Sequence, residues 1–380
     1  MLFRRVIIVL FCASLTTMIV GRLENTANVD NESMLVAKAS EEMTSLFHLA
    51  MDVSSCSRRK GPVVLMTGHG NANGFPSTGF GMLFWRMSSR LVRAALRGGT
   101  FIVDGLTPFK YGHHCGGTVG CVFSRATNNR SLVDTCRHAS MSPPNFSLVP
   151  TLLKLSNDTR DFLLSSAADA HLFALTPSTE QAIRRFWLDT TRNFGVDFDS
   201  PYVVVHVRQG SAGDESARAD ASRAWDRAAT TRHRIFSAAL VCQAILTTAS
   251  RWRVDNVQWM LVASSDVDLP KATAAECGSR IAIPLVHVGQ SAIGTGDCTR
   301  ERFCSNATLL SRQSIEAVAT FAALARARFL IGTMRSVYDI RAHLVAAASG
   351  ARGRFDFVDL DKYNFSDNTY VLTRQLTPYH

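Results

Sequence analysis

The chain has 380 residues, enough for two domains. Its composition, 46% hydrophobic and 19% charged, is that of a folded globular protein. The net charge of +10 suits nucleic acid, anionic lipid or a phosphorylated small molecule, but the basic residues are scattered without a long Lys/Arg block. That distribution argues against nucleic acid as a partner.

The N-terminus indicates the secretory pathway. Arg4 and Arg5 precede an apolar run from Val6 to Val20, which is intermediate in length between a signal-peptide core and a full membrane span. Arginines before the run predict a cytoplasmic N-terminus and a lumenal body. Because no clear small-residue cleavage site follows, we expect residues 1–22 to be an uncleaved type II signal-anchor, with a cleaved signal peptide as the alternative. Residues 23–60 are polar and are predicted to form a stem.

Glycosylation sequons and cysteines favour the same compartment. Six Asn residues begin N-x-S/T sequons: Asn31, Asn129, Asn145, Asn157, Asn306 and Asn364. Outside the anchor the cysteines form an even set, as an oxidising lumen favours: Cys56, Cys115, Cys121, Cys136, Cys242, Cys277, Cys298 and Cys304. Cys115/Cys121 and Cys298/Cys304 are local pairs that could close small loops, but spacing leaves the full pairing open. Zinc binding is disfavoured because the chain has no C-x-x-C pair.

The first half of the chain predicts a nucleotide-binding type of strand–loop–helix–strand unit. A strand at 62–68 is followed by a Gly-rich loop (69–81), a helix (83–97) and a second strand (100–105). Residues 112–160 are rich in Cys, Asn, Ser and Gly and are predicted to be a glycosylated, disulfide-tied insertion. A helix follows at 177–192. We assign 61–195 to an N-terminal Rossmann-like domain, for which the resemblance described below implies the role of acceptor domain.

The second half alternates strands with helices more regularly, and residues 195–201 look like the linker before it. The apolar run at 202–208 is typical of a buried parallel strand. Pro284 places the strand at 280–288 towards a sheet edge. The remaining predicted elements are a helix at 232–250, strands at 257–265, 328–333 and 354–360, and helices at 314–327 and 336–348. We therefore predict an α/β protein of two doubly wound domains facing a cleft, with 201–380 as the second, C-terminal domain; the resemblance described next implies that it binds the donor nucleotide.

Four segments, in order along the chain, resemble motifs of the superfamily of α1,2-, α1,6- and protein O-fucosyltransferases. They are GFGMLFWRMSSRLVRAALRGGTFIV (79–103), VVVHVRQG (203–210), MLVASSD (260–266) and SIEAVATFAALARARFLIGTMRSVYDIRAHLVAA (314–347). The α1,6- and xyloglucan-type branches look most similar. The resemblance implies a GT-B fold and an inverting, metal-independent transferase that uses GDP-fucose, without a cofactor, on a glycan or glycoprotein acceptor. It further implies a Golgi enzyme, with the ER lumen or secretion as alternatives.

Several residues acquire roles through this resemblance. Arg208 would hold the β-phosphate of GDP, which a planar guanidinium suits, and His206 would contact the nucleotide or orient the site. Asp266 would contact the nucleoside. Thr333 and Ser336, before a helix, would bind phosphate oxygens, and Gly79 and Gly81 would let the backbone approach donor or acceptor. Glu215 or Asp214 is the candidate general base, since the loop after 202–208 faces the predicted cleft.

Structural roles compete with these assignments. His206 could be a core histidine whose hydrogen bonds are made within the protein. Asp266, Thr333 and Ser336 could simply cap helices. The loop carboxylates Asp214 and Glu215 could be exposed to solvent without a catalytic role. The chain also departs from the family pattern, with Met82 after the second loop glycine, Ser211 at the acidic position after H-x-R, and Thr320 near an expected carboxylate.

Two other functions remain open. A metal-dependent glycosyltransferase would use a D-x-D pair, for which Asp266/Asp268, Asp359/Asp361 and Asp197/Asp199 qualify. A non-catalytic, glycan-binding relative would explain Ser211.

Overall fold

The computed structural model of the protein describes residues 34–52, 63–66, 80–137, 150–208, 236–252, 256–264, 266, 268–289, 307–333, 336–353 and 356–360. Within these ranges no helix has the length and apolar character needed to cross a bilayer. The predicted signal-anchor lies outside the described residues.

The first half of the chain contains a small parallel sheet and most of the helices that cover it. Strands β1 (Val63–Met66) and β2 (Thr100–Val103) pair in parallel. Between them α2 (Phe80–Leu96) makes the crossover, as the strand–loop–helix–strand pattern predicted. The other helices are α1 (34–51), α3 (Val119–Val122), α4 (Arg130–Arg137), α5 (Asn157–Leu172) and α6 (Pro177–Arg192).

The second half forms a five-stranded, all-parallel sheet with the order β5-β4-β3-β6-β7. Its strands are β3 (Tyr202–Val207), β4 (Trp259–Ser264), β5 (Leu285–Gly289), β6 (Phe329–Gly332) and β7 (Phe357–Asp359). Its helices are α7 (Ala238–Trp252), α8 (Leu269–Cys277), α9 (Ala307–Arg326) and α10 (Val337–Ala348). The parallel sheet was predicted, and β5 is an edge strand that begins directly after Pro284, which could not have donated a ladder hydrogen bond.

The two faces of this sheet enter different hydrophobic clusters because side chains alternate along β3. Val203, Val205 and Val207 pack with α7 and α8. Tyr202 and Val204 belong to a larger cluster, which we call the main core, together with residues of α1, α2, α5, α6 and α9. Residues from both halves of the chain therefore contribute to one hydrophobic cluster, and the division into domains at 195–201 stays a prediction.

The predicted stem contains helix α1, which differs from our expectation of a polar linker. Ala39, Met43, Phe47 and Ala50 follow a three- and four-residue spacing and are buried in the main core. This part of the predicted stem is therefore a structural element of the globular body.

A local disulfide closes a small loop in the predicted insertion (112–160). Cys115 and Cys121 form a disulfide, as one of the proposed local pairs, and a second disulfide joins Cys242 of α7 to Cys277 of α8. Cys298 and Cys304 lie outside the described residues. Two of the sequon asparagines, Asn129 and Asn157, are exposed.

Candidate functional site

The site predicted from sequence falls at the point where the strand order of the large sheet reverses. From β3 the chain proceeds outwards to β4 and β5, then returns to β6 on the other side of β3. Ligands of open α/β sheets bind beyond the carboxyl ends of the strands at such a switch point. His206 and Arg208 end β3, and Thr333 and Ser336 follow β6, so the fold brings these four predicted residues to one edge.

His206 is a buried side chain held by a carboxylate. It lies two residues after Val204 and faces the main core, where its ring is 5.4 Å from that of Tyr338. Its Nδ1 is 2.5 Å from Oδ1 of Asp339, and the histidine side chain is 4% exposed. With an ionised Asp339, Nδ1 carries the hydrogen. Nδ1 is thus engaged by the protein, which favours the orienting role of His206 over nucleotide contact through that atom.

Asp339 is the central residue of this cluster, and sequence reasoning missed it. Its carboxylate is fully buried and also accepts hydrogen bonds from the backbone N–H (2.9 Å) and the hydroxyl (3.1 Å) of Thr333. The three donors come from β3 and from the turn after β6. Asp339 therefore ties the end of the central strand to the start of α10.

Thr333 and Ser336 serve this turn in different ways. The hydroxyl of Thr333 donates to Asp339, which fits the capping alternative, and contact with a phosphate oxygen stays a prediction. The Ser336 Oγ accepts a hydrogen bond from the Asp339 N–H at 3.4 Å as the N-cap of α10. Its own hydroxyl hydrogen remains available, so Ser336 stays a candidate phosphate donor.

Gly81 brings a second helix N-terminus to the same place. A Cβ added at Gly81 would lie 2.5 Å from the backbone nitrogen of Tyr338 and 2.9 Å from the carbonyl carbon of Val337. The close approach that this glycine permits is therefore to helix α10, and contact with a donor or acceptor stays a prediction. Because α2 and α10 both begin here, the positive ends of two helix dipoles lie near each other.

Arg208 is the exposed member of the group. It follows the last residue of β3 directly, and its side chain reaches solvent at the carboxyl edge of the sheet. An exposed guanidinium at this edge can hold an anionic group with two parallel N–H donors. Phosphate binding by Arg208 stays a prediction.

Asp266 follows β4, one strand further along the same edge, and has a structural task. Its Oδ1 accepts hydrogen bonds from the N–H groups of Asp268 (2.9 Å) and Leu269 (3.2 Å) before α8. Asp266 thus orders the turn that leads into α8, whose N-cap is Asp268, and contact of Asp266 with a nucleoside stays a prediction. In the D-x-D pair Asp197/Asp199, Asp197 accepts a hydrogen bond from the Asp199 N–H, and Asp199 pairs with Arg184.

A second buried carboxylate anchors α10 from the other side. Asp169 of α5 is fully buried and lies 3.1 Å from the guanidinium of Arg341. Burial raises the pKa of Asp169 to about 6, an effect that Arg341 and a hydrogen bond to Ser88 of α2 reduce. The cluster joins α2, α5 and α10 inside the main core, and no motif had indicated it.

Other predicted residues lie outside the described part of the chain. These are the candidate bases Asp214 and Glu215 and the loop residue Gly79, whose roles stay predictions. Among the described residues no group of three or more His, Cys, Asp or Glu side chains could hold a metal ion.

The amino edge of the sheet carries a separate surface depression of about 330 Å³. Its lining includes Tyr202, Arg326 and Arg328, at or next to the amino ends of β3 and β6 and the C-terminus of α9. The C-termini of α9 and α10 border it, so the two arginines complement helix carbonyls there. The depression is thus distinct from the candidate site at the opposite edge.

Comparison with known proteins gives a limited structural likeness. No protein-family model and no curated protein sequence matches the chain. Crystal structures of NodZ α1,6-fucosyltransferase co-crystallised with GDP, the same enzyme soaked with GDP-fucose, and fucosyltransferase NodZ from Bradyrhizobium are similar at 12–13% identity. The matches cover 75% of this chain and 93–94% of theirs, with TM-scores of 0.35–0.39. At such scores the likeness carries no argument, so function is argued from the site.

Proposed function

We propose that the protein is a metal-independent glycosyltransferase that transfers fucose from GDP-fucose to a glycan or glycoprotein acceptor. The observation that carries the proposal is Arg208, an exposed guanidinium at the switch point of the parallel sheet, two residues after His206, which binds Asp339 in the first turn of α10. The choice of fucose rests on the motif resemblance at 203–210 and 314–347.

The chemistry needs a stabilised leaving group. As the bond from the anomeric carbon to the phosphate oxygen breaks, negative charge develops on the GDP β-phosphate. Arg208 and the Ser336 hydroxyl supply fixed donors for that charge, and the two helix N-termini add favourable dipoles. His206, fixed by Asp339, maintains the shape of this edge.

The chemistry also needs a base. In inverting transfer the acceptor oxygen attacks the anomeric carbon from the side opposite the diphosphate, and its proton passes to a carboxylate. We assign that role to Glu215 or Asp214. Both residues follow β3 closely in the sequence, which supports a position beyond the same sheet edge.

The location of the enzyme follows from the N-terminus and the sequons. We propose a type II Golgi membrane protein with a lumenal body, anchored by residues 1–22. A glycosidase-sensitive mass increase at Asn129 and Asn157, measured on protein from a secretory host, tests lumenal exposure.

The donor is tested by ligand-induced thermal stabilisation. Purified protein is heated with GDP, UDP, ADP or CDP, each with Mn²⁺ and with EDTA. We expect GDP alone to raise the melting temperature, equally in both conditions, because bound ligand stabilises the folded state by mass action. Stabilisation only with Mn²⁺, or by UDP instead of GDP, would contradict the proposal and favour a D-x-D enzyme.

The role of Arg208 is tested by substitution. Arg208→Ala should lower kcat/KM with GDP-fucose about 10²- to 10³-fold, the loss typical of removing a donor to a developing anion. Arg208→Lys should remain poor because a point charge cannot reproduce the guanidinium fork. Arg280→Ala, which removes an equally exposed arginine before β5, is the matched control and should keep full activity. Near-normal turnover of Arg208→Ala would remove the basis of the proposed function.

A further inference from the structure

Helix α2 carries a line of basic side chains that the proposed site does not use. No Asp or Glu occurs between Asp52 and Asp104 in the sequence. Within that stretch Arg86, Arg90, Arg93 and Arg97 recur at four-, three- and four-residue spacing, so they share one side of the helix. We call these four residues the arginine row.

Three of the four arginines in the row are exposed, and Arg86 is half-buried. Arg86, Arg90 and Arg93 lie on α2, and Arg97 follows directly after its last residue. At 1.5 Å per residue, Arg86 and Arg93 are about 10 Å apart along the helix axis. Arg90, Arg93 and Arg97 are exposed, whereas the opposite side of α2 enters the main core through Phe84, Met87 and other buried residues. The helix is therefore fixed, and the row is held in one line by the fold.

Three arginines of the row have no neutralising partner among the described residues. Within the described residues Arg90, Arg93 and Arg97 form no ion pair, whereas on α6 Arg184 pairs with Asp199 and Arg192 with Asp189. The pKa of Arg90 is lowered by burial and by the charges of Arg86 and Arg93. The arginines therefore repel one another, and a bound anion would relieve that repulsion.

The surroundings of the row discriminate between kinds of anionic partner. Among the side chains that the structure describes, the exposed large hydrophobic residues all lie outside α2, which argues against insertion of this helix into a bilayer. The exposed row also has no interleaved aromatic side chains on which nucleic-acid bases could stack. A narrow line of guanidinium groups, each with paired N–H donors, suits a narrow, soluble polymer that carries regularly spaced anionic groups.

We propose that the arginine row of α2 binds a linear acidic polysaccharide that carries sulfate or carboxylate groups along its length. The polysaccharide chain lies along the helix, and each successive guanidinium binds one of its anionic groups. This surface is independent of the nucleotide site, and its test requires no donor sugar.

The test uses a sulfated heparin-type dodecasaccharide and calorimetry at two salt concentrations. The variant Arg90→Gln/Arg93→Gln/Arg97→Gln should bind at least tenfold more weakly than wild type, with a shallower dependence on salt because fewer charges are neutralised. The control Arg184→Gln/Arg185→Gln/Arg192→Gln removes the same charge from another exposed helix and should bind within twofold of wild type. Both variants are first shown to melt like wild type.

Three results would overturn the proposal. One is equal weakening by both triple variants, which would mean attraction by overall charge alone. Another is the absence of binding by wild type at low salt. The third is tighter row-dependent binding of phosphatidylserine vesicles or single-stranded RNA than of the dodecasaccharide, which would assign the row to a membrane or to nucleic acid.

Discussion

Two carboxylates are fully buried around helix α10, and they are satisfied in different ways. Asp339 receives three short-range donors, from His206 and twice from Thr333, and no Lys or Arg among the described residues pairs with it. Asp169 faces the guanidinium of Arg341 across the α5–α10 contact. The first cluster organises the edge where chemistry is proposed, and the second holds the same helix in the core.

The comparison shows how one helix can be fixed at two points with different electrostatics. A carboxylate surrounded by directional donors has a defined geometry but brings no opposite charge into the core. A buried ion pair has strong attraction but pays the desolvation of two charges. We therefore expect that breaking the Asp169–Arg341 pair lowers the stability of the fold more than altering Asp339 does. Altering Asp339 should instead have the larger effect on the geometry of the candidate site.

The largest effect should follow loss of Arg341. Arg341→Met leaves Asp169 buried without its cation, and the free energy of unfolding should fall by about 3–5 kcal/mol in chemical denaturation at pH 7. The double variant Arg341→Met/Asp169→Leu removes both charges and should recover most of that loss. If the double variant were as unstable as the single one, packing rather than charge would explain the effect.

A smaller change in stability and a larger change in the site should follow Asp339→Asn. The amide oxygen can still accept from Thr333, but the amide NH₂ would face Nδ1 of His206, so the histidine hydrogen should move to Nε2. We expect a stability loss of about 1–3 kcal/mol and a switch of the His206 tautomer in ¹⁵N NMR, with reduced transferase turnover. An unchanged tautomer would show that Asp339 does not orient the ring.

The smallest effects concern pH. The pKa of Asp169 is raised by burial from 3.8 to about 6. The folded state therefore binds the Asp169 proton more tightly than the unfolded state does. The stability that this proton contributes is present below about pH 4 and is lost as pH rises to about 6. The pKa of His171 is lowered by burial, and further by Arg125 and His48, from 6.5 to about 4. Its contribution is present at neutral pH and is lost as pH falls through that window.

The two residues therefore oppose each other, and single substitutions should separate them. Relative to wild type, Asp169→Asn should lose stability more steeply as pH falls from 6.5 to 4, because only His171 then titrates. His171→Phe should lose less over the same interval. Melting temperatures at half-unit pH steps measure both slopes, and parallel curves for all three proteins would contradict these assignments.

Much of the large sheet could be predicted because its strands are short apolar runs bounded by turn residues. The run at 202–208 gave a central strand, buried on both faces by helices, and Pro284 marked the edge strand β5. The helices before and after β6 were found within a few residues, apart from the start of α9, which lies at Ala307 rather than near 314. Such patterns are local, so they can be recognised without the fold.

The side-chain clusters could not be predicted in this way. Asp339 stands in the first turn of α10, where an acidic residue ordinarily faces solvent and favours the helix dipole. Its partner His206 is 133 positions away, and only the parallel pairing of β3 with β6 brings them together. Asp169 and Arg341 are separated by 172 positions. Helix α1, by contrast, had a readable apolar spacing from Ala39 to Ala50 that its polar surroundings concealed.

The shared main core has a consequence for how the protein is made. Trp187 of α6 is fully buried, and its indole N–H donates to the carbonyl of Ala319 on α9, more than a hundred residues later. During synthesis the first half must emerge from the ribosome with its apolar surface uncovered until α9 and α10 have followed. We would therefore expect nascent chains that end before α9 to depend on chaperones, and the last third of the polypeptide to complete folding for the whole.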